Sequence, residues 1–255
     1  IATRVDYDVV VADTVNHALR GLRLADLSVR TIVSTGRQRL TPLDGALRAA
    51  AEAELSSPWD VVWWPAIGRV VVAMAGTHQL ASFDPIADTL GLLAGTGHEG
   101  LVDGKFDAAW FAQPSGFAVD ENQQSGAGTL WVADSETSAL RIVEAASRGN
   151  TSPGDNTSPG DNKGYVRTAI GTGLFTFGLK DGDAAGALLQ HPLGIAVLPD
   201  RSVAICDTYN GAIRRYDPAT NAVTTLATGL AEPSDALVVG DNLAVVESAA
   251  HRLTA

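Results

Sequence analysis

One phrase is written into this chain several times over, and a phrase that recurs at intervals of about 40 residues or more limits a chain to few architectures. The copies read VVVADTVNHALRGL from Val9, VVVAMAGTHQLASFD from Val70, LWVADSETSALRIVE from Leu130, VAICDTYNGAIRRYD from Val203 and LAVVESAAHRLTA from Leu243. Each is an apolar run, a four-residue polar turn and a second strand-like run. That is the pattern of a β-hairpin.

Two further phrases travel with the hairpin. Ahead of four copies stands a Pro, followed two residues later by Gly or Asp and an apolar run: PWDVVW at Pro58, PSGFAV at Pro114, PLGIAV at Pro192 and PSDALV at Pro233. A Pro opens a strand where its missing N–H costs the ladder least. Behind four copies comes a last strand: VRTIVSTG at Val29, TLGLLAGTG at Thr89, VRTAIGTG at Val166 and AVTTLATG at Ala222. The unit is thus four strands in meander order. Asp-Gly at Asp44, Asp103 and Asp181 opens three of the connections, where the Gly is expected to supply a positive φ. DGALRAAAEAEL, from Asp44 to Leu55, is expected to form a short helix.

The spacings from Pro to Pro are 56, 78 and 41 residues. The longest interval holds the perfect tandem TSPGDNTSPGDN at residues 151–162, which has nothing to bury and reads as a mobile surface loop. Consecutive four-stranded antiparallel units predict an all-β chain, a β-propeller whose blades cover one another's faces around an axis. Residues 1–255 then form a single propeller with five recognisable blades. The first unit lacks its innermost strand and the last its outermost. The expectation is a piece of a longer ring, an unusual closure, or self-association through these incomplete terminal blades.

Composition narrows the partners. The balance is 18 Lys plus Arg against 29 Asp plus Glu, a net charge of −11, and Lys105, Lys163 and Lys180 are the chain's three lysines. A polyanion or an anionic membrane would meet repulsion, so the expectation is no nucleic acid and no membrane. No apolar run approaches the roughly 20 residues that cross a bilayer. Cys206 is the single cysteine, and its apolar neighbours make it a core residue; no disulfide, thiolate metal site or C-x-x-C follows from it. Low cysteine use suits a reducing interior and slightly favours the cytoplasm over other compartments.

The pattern P-x-G-[IV]-A-V, an apolar strand ending in Asp-[Ser/Thr]-x-Asn-x-x-[Ile/Leu]-Arg, then A-G-T-G and D-G, resembles the NHL repeat, and it covers the chain outside the hexapeptide tandem. SPWDVVW at Ser57, AMAGTHQL at Ala73 and EPSDALVV at Glu232 are similar to NHL proteins that carry a thioredoxin-like domain ahead of a six-bladed propeller. The resemblance implies a six-bladed ring, with a first blade and a thioredoxin-like domain upstream of Ile1, and a redox context.

The repeated phrase has a physical reading. Across the four-residue turn Asp207 stands opposite Ala212, which puts Arg214 on the same face within reach. Acid and base occur together as Asp13 with Arg20, Asp134 with Arg141 and Asp207 with Arg214, whereas the copy with Met74 has Ala81. The copy with Glu247 has Thr254 at the Arg position and departs from the rule. These pairs are expected to be structural. Asn16 and Asn210 fit the turn.

Candidate ligand-binding residues lie at the mouth of the propeller. Asp60 and Asp235 replace the Gly of Gly116 and Gly194 at the start of inner strands, either as solvated channel residues or as ligands for a cation or basic group. Trp59 beside Asp60 and His191 before Pro192 join them, and His98 in a connecting loop is also placed to reach the mouth. Trp63, Trp64, Trp110 and Trp131 are expected to fill spaces between blades. His17, His78 and His251 share one turn position and so diverge around the ring, as turn residues rather than a zinc cluster.

No catalytic residue is assigned. There is no G-x-S-x-G elbow, and the A-G-T-G and I-G-T-G stretches lack the Lys and helix start of a phosphate loop. The expected function is a non-catalytic scaffold that binds a protein, a peptide or a small cationic ligand at an acidic mouth, without a cofactor. The alternative is a calcium- or metal-dependent propeller hydrolase or lyase, since six-bladed propellers include such enzymes; calcium would need six to eight oxygen ligands near the axis.

Overall fold

The computed structural model describes residues 5–121, 128–146 and 164–255. The hexapeptide tandem at 151–162 lies outside them. Among the described residues the strands form five antiparallel sheets in a ring, a β-propeller without an α-helix.

The first sheet holds β1 (Val9–Asp13), β2 (Ala18–Leu22) and β3 (Val29–Val33). The second holds β4 (Arg48–Ala49), β5 (Pro58–Trp64), β6 (Arg69–Met74), β7 (Gln79–Asp84) and β8 (Thr89–Ala94), and the third β9 (Gly104–Lys105), β10 (Pro114–Asp120), β11 (Thr129–Asp134), β12 (Ala139–Ala145) and β13 (Gly164–Ile170). The fourth holds β14 (Gly182–Asp183), β15 (Ile195–Val197), β16 (Val203–Asp207), β17 (Ala212–Asp217) and β18 (Ala222–Thr228). The last holds β19 (Pro233–Val239), β20 (Asn242–Glu247) and β21 (Arg252–Thr254).

The three central sheets gain a fifth, two-residue strand on the outer edge, made by the connecting segment that carries Asp-Gly. This departs from the four-strand reading, because an outer edge left with free N–H and C=O groups is capped by the nearest passing backbone. The expected helix between Asp44 and Leu55 is replaced by β4 and a single 3₁₀ turn, Ala50–Glu52, for the same reason. The Asp-Gly glycines also differ from expectation. Gly182 has φ +129°, but Gly45 and Gly104 do not adopt positive φ.

In the three middle sheets the strand second from the inner edge shows why its sequence is apolar without alternation. In β6, Val70, Val72 and Met74 pack in the cluster shared with the first blade, while Val71 and Ala73 pack in the cluster shared with the third. In β11, Leu130 and Val132 face back while Trp131 and Ala133 face forward. In β16, Val203 and Ile205 face back and Ala204 and Cys206 forward. Successive side chains point to opposite faces, and both faces are covered by a neighbouring blade. Cys206 is thus fully buried, and burial pushes its thiol pKa up.

Trp64 and Trp131 fill seams between blades, as expected. Trp64 Nε1 also donates to the Gly128 carbonyl (3.1 Å). Trp63 instead is half exposed, because it follows the opposite parity on β5.

The ion pairs are formed as the hairpin register requires. Asp207 stands opposite Ala212 and takes Arg214 Nη1 at 2.8 Å; Asp134 stands opposite Ala139 and takes Arg141 Nη1 at 3.0 Å. All four side chains are fully buried. Each pair is satisfied further. Arg141 Nη2 reaches Asp103, and Asp103 accepts from the Thr168 N–H and hydroxyl; Arg214, Asp181 and Thr225 repeat that set. The Asp of Asp-Gly therefore anchors the connecting segment to its blade. Asp134 and Asp207 also accept the N–H of Ala112 and Gln190.

The two departures are compensated. In the blade with Met74 and Ala81, fully buried Gln79 accepts the Leu43 N–H (2.6 Å) and donates to the Leu43 and Gly95 carbonyls. Glu247 pairs with Arg252 Nε at 2.8 Å, five residues on, and accepts the Thr254 hydroxyl. The Asp13–Arg20 pair, also at 2.8 Å, is partly exposed.

Removing one partner of a buried pair strands a charge, whereas an exposed pair contributes little. Asp207→Ala and Arg214→Ala are each expected to lower stability by about 3–5 kcal/mol, with the double variant losing much less than their sum. Asp13→Ala should lose about 1 kcal/mol or less. Urea unfolding of the single and double variants checks both, and additive losses at Asp207 and Arg214 would refute the coupling.

Candidate functional site

The inner strands converge at one end of the ring. A β-bulge interrupts the pairing just after the opening Pro of β5, β10 and β19, between Pro58 and Val61, Pro114 and Gly116, and Pro233 and Asp235. A bulge re-aims the residues it contains. Asp60, Gly116, Gly194 and Asp235, the third residues of the four Pro phrases, accordingly line one cavity of about 260 Å³, together with Trp59, Ser115, Leu193 and Ser234. The sequence placed Asp60, Asp235 and Trp59 at a mouth, and the structure brings them together there.

Glycine at two of these positions has a steric cause. A Cβ on Gly116 would lie 2.1 Å from the Leu193 carbonyl oxygen, and one on Gly194 would lie 2.5 Å from the Asp235 Cα. Backbones of adjacent blades touch at this end.

Asp60 does more than line the mouth. Its Oδ2 accepts the Phe117 N–H of the third blade (2.8 Å), and its Oδ1 accepts the Val61 N–H (2.7 Å). An inner strand is the edge of its sheet, so Phe117 has a backbone donor that its own sheet leaves unpaired. A carboxylate from the next blade satisfies it. Burial pushes the Asp60 carboxyl up to about 7 against those two hydrogen bonds, and the Asp235 charge adds to the rise. Asp235 keeps part of its surface exposed, its Oδ1 accepts the Ala236 N–H, and desolvation of its carboxyl raises its pKa as well.

His191 is not among the residues lining the cavity. It stacks on Tyr209, with centroids 4.4 Å apart at 15°, and burial lowers its pKa. His98 packs on Trp110 with centroids 4.9 Å apart and also stays out of the cavity. In both cases a nearer aromatic ring holds the imidazole.

The remaining letters of the repeated phrase tie one blade to the next. The hydroxyl after the acid donates to the opening Pro carbonyl of the following blade: Thr14 to Pro58 (2.8 Å), Ser135 to Pro192 (2.8 Å) and Thr208 to Pro233 (2.8 Å). Asn16 and Asn210 donate to the acid itself. The last turn residue takes φ near +50°, as His17, His78, Ser138, Gly211 and His251 all do. So does the residue before each opening Pro: Ser57, Gln113, His191 and Glu232. This is costly backbone for a non-Gly residue, and it persists where the surroundings hold it. Side chains hold it here. The Ser57 N–H donates to His17 Nδ1 (3.0 Å), the Gln113 N–H to His78 Nδ1 (3.1 Å) and the His191 N–H to Ser138 Oγ (3.2 Å). Sequence reasoning took His17, His78 and His251 as turn residues, and all three are; the latch across the seam was missed because its partner lies 35 to 40 residues away.

Two carboxylates face the cavity, both oxygens of Asp60 and one of Asp235 already accept N–H groups, and calcium takes six to eight oxygens. Among the described residues no three His, Cys, Asp or Glu side chains gather to hold a metal ion.

Asp60 binds its proton more tightly in the folded chain than in the unfolded one, so it contributes stability that is lost as pH rises from about 4 to about 7. Asp60→Asn is expected to flatten that decline by at least about 1.4 kcal/mol, the equivalent of one pKa unit. Urea unfolding at pH 4.5 and pH 8 in both proteins measures it. An unchanged decline would mean that Asp60 titrates normally.

Comparison with known proteins follows the same lines. No protein-family model matches the chain. It is 34% identical over 237 residues, 91% of its length, to the Arabidopsis thaliana protein SUPPRESSOR OF QUENCHING 1, chloroplastic, of which the match covers 21%. It is 33% identical over 243 residues, 86% of its length, to bovine NHL repeat-containing protein 2, of which the match covers 31%. The chain thus spans about a fifth to a third of these relatives. Among solved structures, an auxiliary nutrient binding protein from Bacteroides ovatus superposes with a TM-score of 0.63 at 12% identity, covering 95% of this chain and 53% of that one. Virginiamycin B lyase from Staphylococcus aureus superposes at 0.54 and 11% identity, covering 94% and 60%; these two likenesses show the fold alone. The repeated phrase, the blade ring it builds and the match to an NHL repeat-containing protein together make this chain an NHL-repeat β-propeller.

Proposed function

We propose that the propeller is a non-catalytic binding module that takes a basic group, carried by a protein, a peptide or a small cation, at the mouth lined by Asp60, Asp235 and Trp59. The carrying observation is the placement of two carboxyls, Asp60 and Asp235, in the wall of one cavity; burial raises the Asp60 pKa to about 7, so an arriving cation favours its ionised form. Trp59 in the same wall offers an aromatic face to that cation. The net charge of −11 draws basic partners and opposes nucleic acid and anionic membranes.

The hydrolase or lyase alternative rests on likeness of fold, which many unrelated activities share. The mouth supports the binding reading better, since Ser115, its one buried hydroxyl, is surrounded by the Ala133, Pro192 and Leu193 carbonyls and Ser135 rather than by a base. A second copy of the chain would add to the terminal sheets at β1, the inner edge of the first, and at β21, the outer edge of the last.

Calorimetric titration with tri-arginine and tri-lysine peptides tests the reading. Binding is expected to tighten between pH 6 and pH 8, because a cation favours the ionised form of Asp60. The Asp60→Asn/Asp235→Asn variant should bind at least tenfold more weakly. No binding by wild type, or equal binding by the variant, would overturn it.

A further inference from the structure

Three seams between blades carry the same hydrogen bond at the same place, with two kinds of acceptor. In the first and second seams the acceptor is an imidazole nitrogen, His17 Nδ1 for the Ser57 N–H and His78 Nδ1 for the Gln113 N–H; in the third it is the Ser138 hydroxyl, for the His191 N–H. A protonated imidazole has no lone pair and turns an N–H toward the donor it formerly accepted, whereas a hydroxyl does not titrate. We propose that these histidines make the ring a directional pH-sensitive joint: acid unlatches the first two seams at the mouth end and leaves the third closed.

The surroundings fit local control. On the His17 corner Asp13 and Arg20 are paired with each other, and the facing turn Ala75–Thr77 is uncharged. On the His78 corner Met74, Gln79 and Ala81 carry no charge; the facing turn bears Glu136, which acts on His191 in the next seam. The second seam is the weaker of the two. Its corner has Ala75 where Thr14, Ser135 and Thr208 donate a hydroxyl across their seams. Asp60 reaches across it to Phe117, four residues beyond Gln113, so unlatching His78 loosens the wall of the mouth that holds Asp60. Strain adds to the effect, since Ser57 and Gln113 keep φ of +46° and +56° directly before a proline, which an unlatched chain relaxes.

Amide hydrogen exchange by NMR, corrected for intrinsic rates, tests the joint in the intact chain. Between pH 7.5 and pH 5.0 protection at the Ser57 and Gln113 amides is expected to fall at least tenfold, while the His191 amide holds. In His78→Ser, which copies the Ser138 latch, Gln113 should keep its protection at pH 5.0. Three outcomes overturn the proposal: protection at Gln113 that survives acid in the wild type, parallel loss at His191, or continued acid loss at Gln113 in His78→Ser, which would assign the effect to a group other than His78.

Discussion

A sheet with two apolar faces cannot stand alone in water, and each of the three middle blades has a strand with two. Val70 to Met74, Leu130 to Ala133 and Val203 to Cys206 divide their side chains between the blade behind and the blade ahead. Burial of apolar surface therefore resides in the seams, and the ring follows from the need to cover each face. The apolar clusters fix how blades stack. Polar links at the mouth end set the register.

Those links explain an otherwise puzzling phrase. Asp and Arg close the hairpin corner, Thr or Ser bonds the next blade's proline carbonyl, Asn steadies the acid, and His or Ser holds the residue before that proline in left-handed backbone. The acid, the hydroxyl and the latch residue each satisfy a backbone group that the sheets leave unpaired. Where a letter is missing, something nearby takes over: Gln79 in the blade with Met74, Arg252 and Thr254 in the blade with Glu247. The buried pair is one of several solutions to the same accounting problem.

The mouth follows from this arrangement. Bulges after the opening prolines aim the third residue of the phrase inward, and the backbones meet so closely at Gly116 and Gly194 that a side chain is excluded there. Asp60 and Asp235 stand where space remains. Asp60 is thereby both a fastener between blades and the group most responsive to a cation. The proposed binding at the mouth would therefore act on the same side chain that fastens the second seam.

How much of this was legible beforehand depended on distance along the chain. The hairpins, the meander order, the Asp207–Arg214 and Asp134–Arg141 pairs and the core place of Cys206 were determined by the sequence, because strand alternation and a turn of fixed length set which side chains meet across one hairpin. The grouping of Asp60, Asp235 and Trp59 was also readable, since the same phrase must return to the same end of each blade. The extra outer strands, the stacking that keeps His191 and His98 from the cavity, the rescue by Gln79 and the histidine latches were decided only by tertiary structure. Each joins residues from separate blades or from a connecting segment and its blade, and such a contact depends on how sheets lean on one another rather than on any local period.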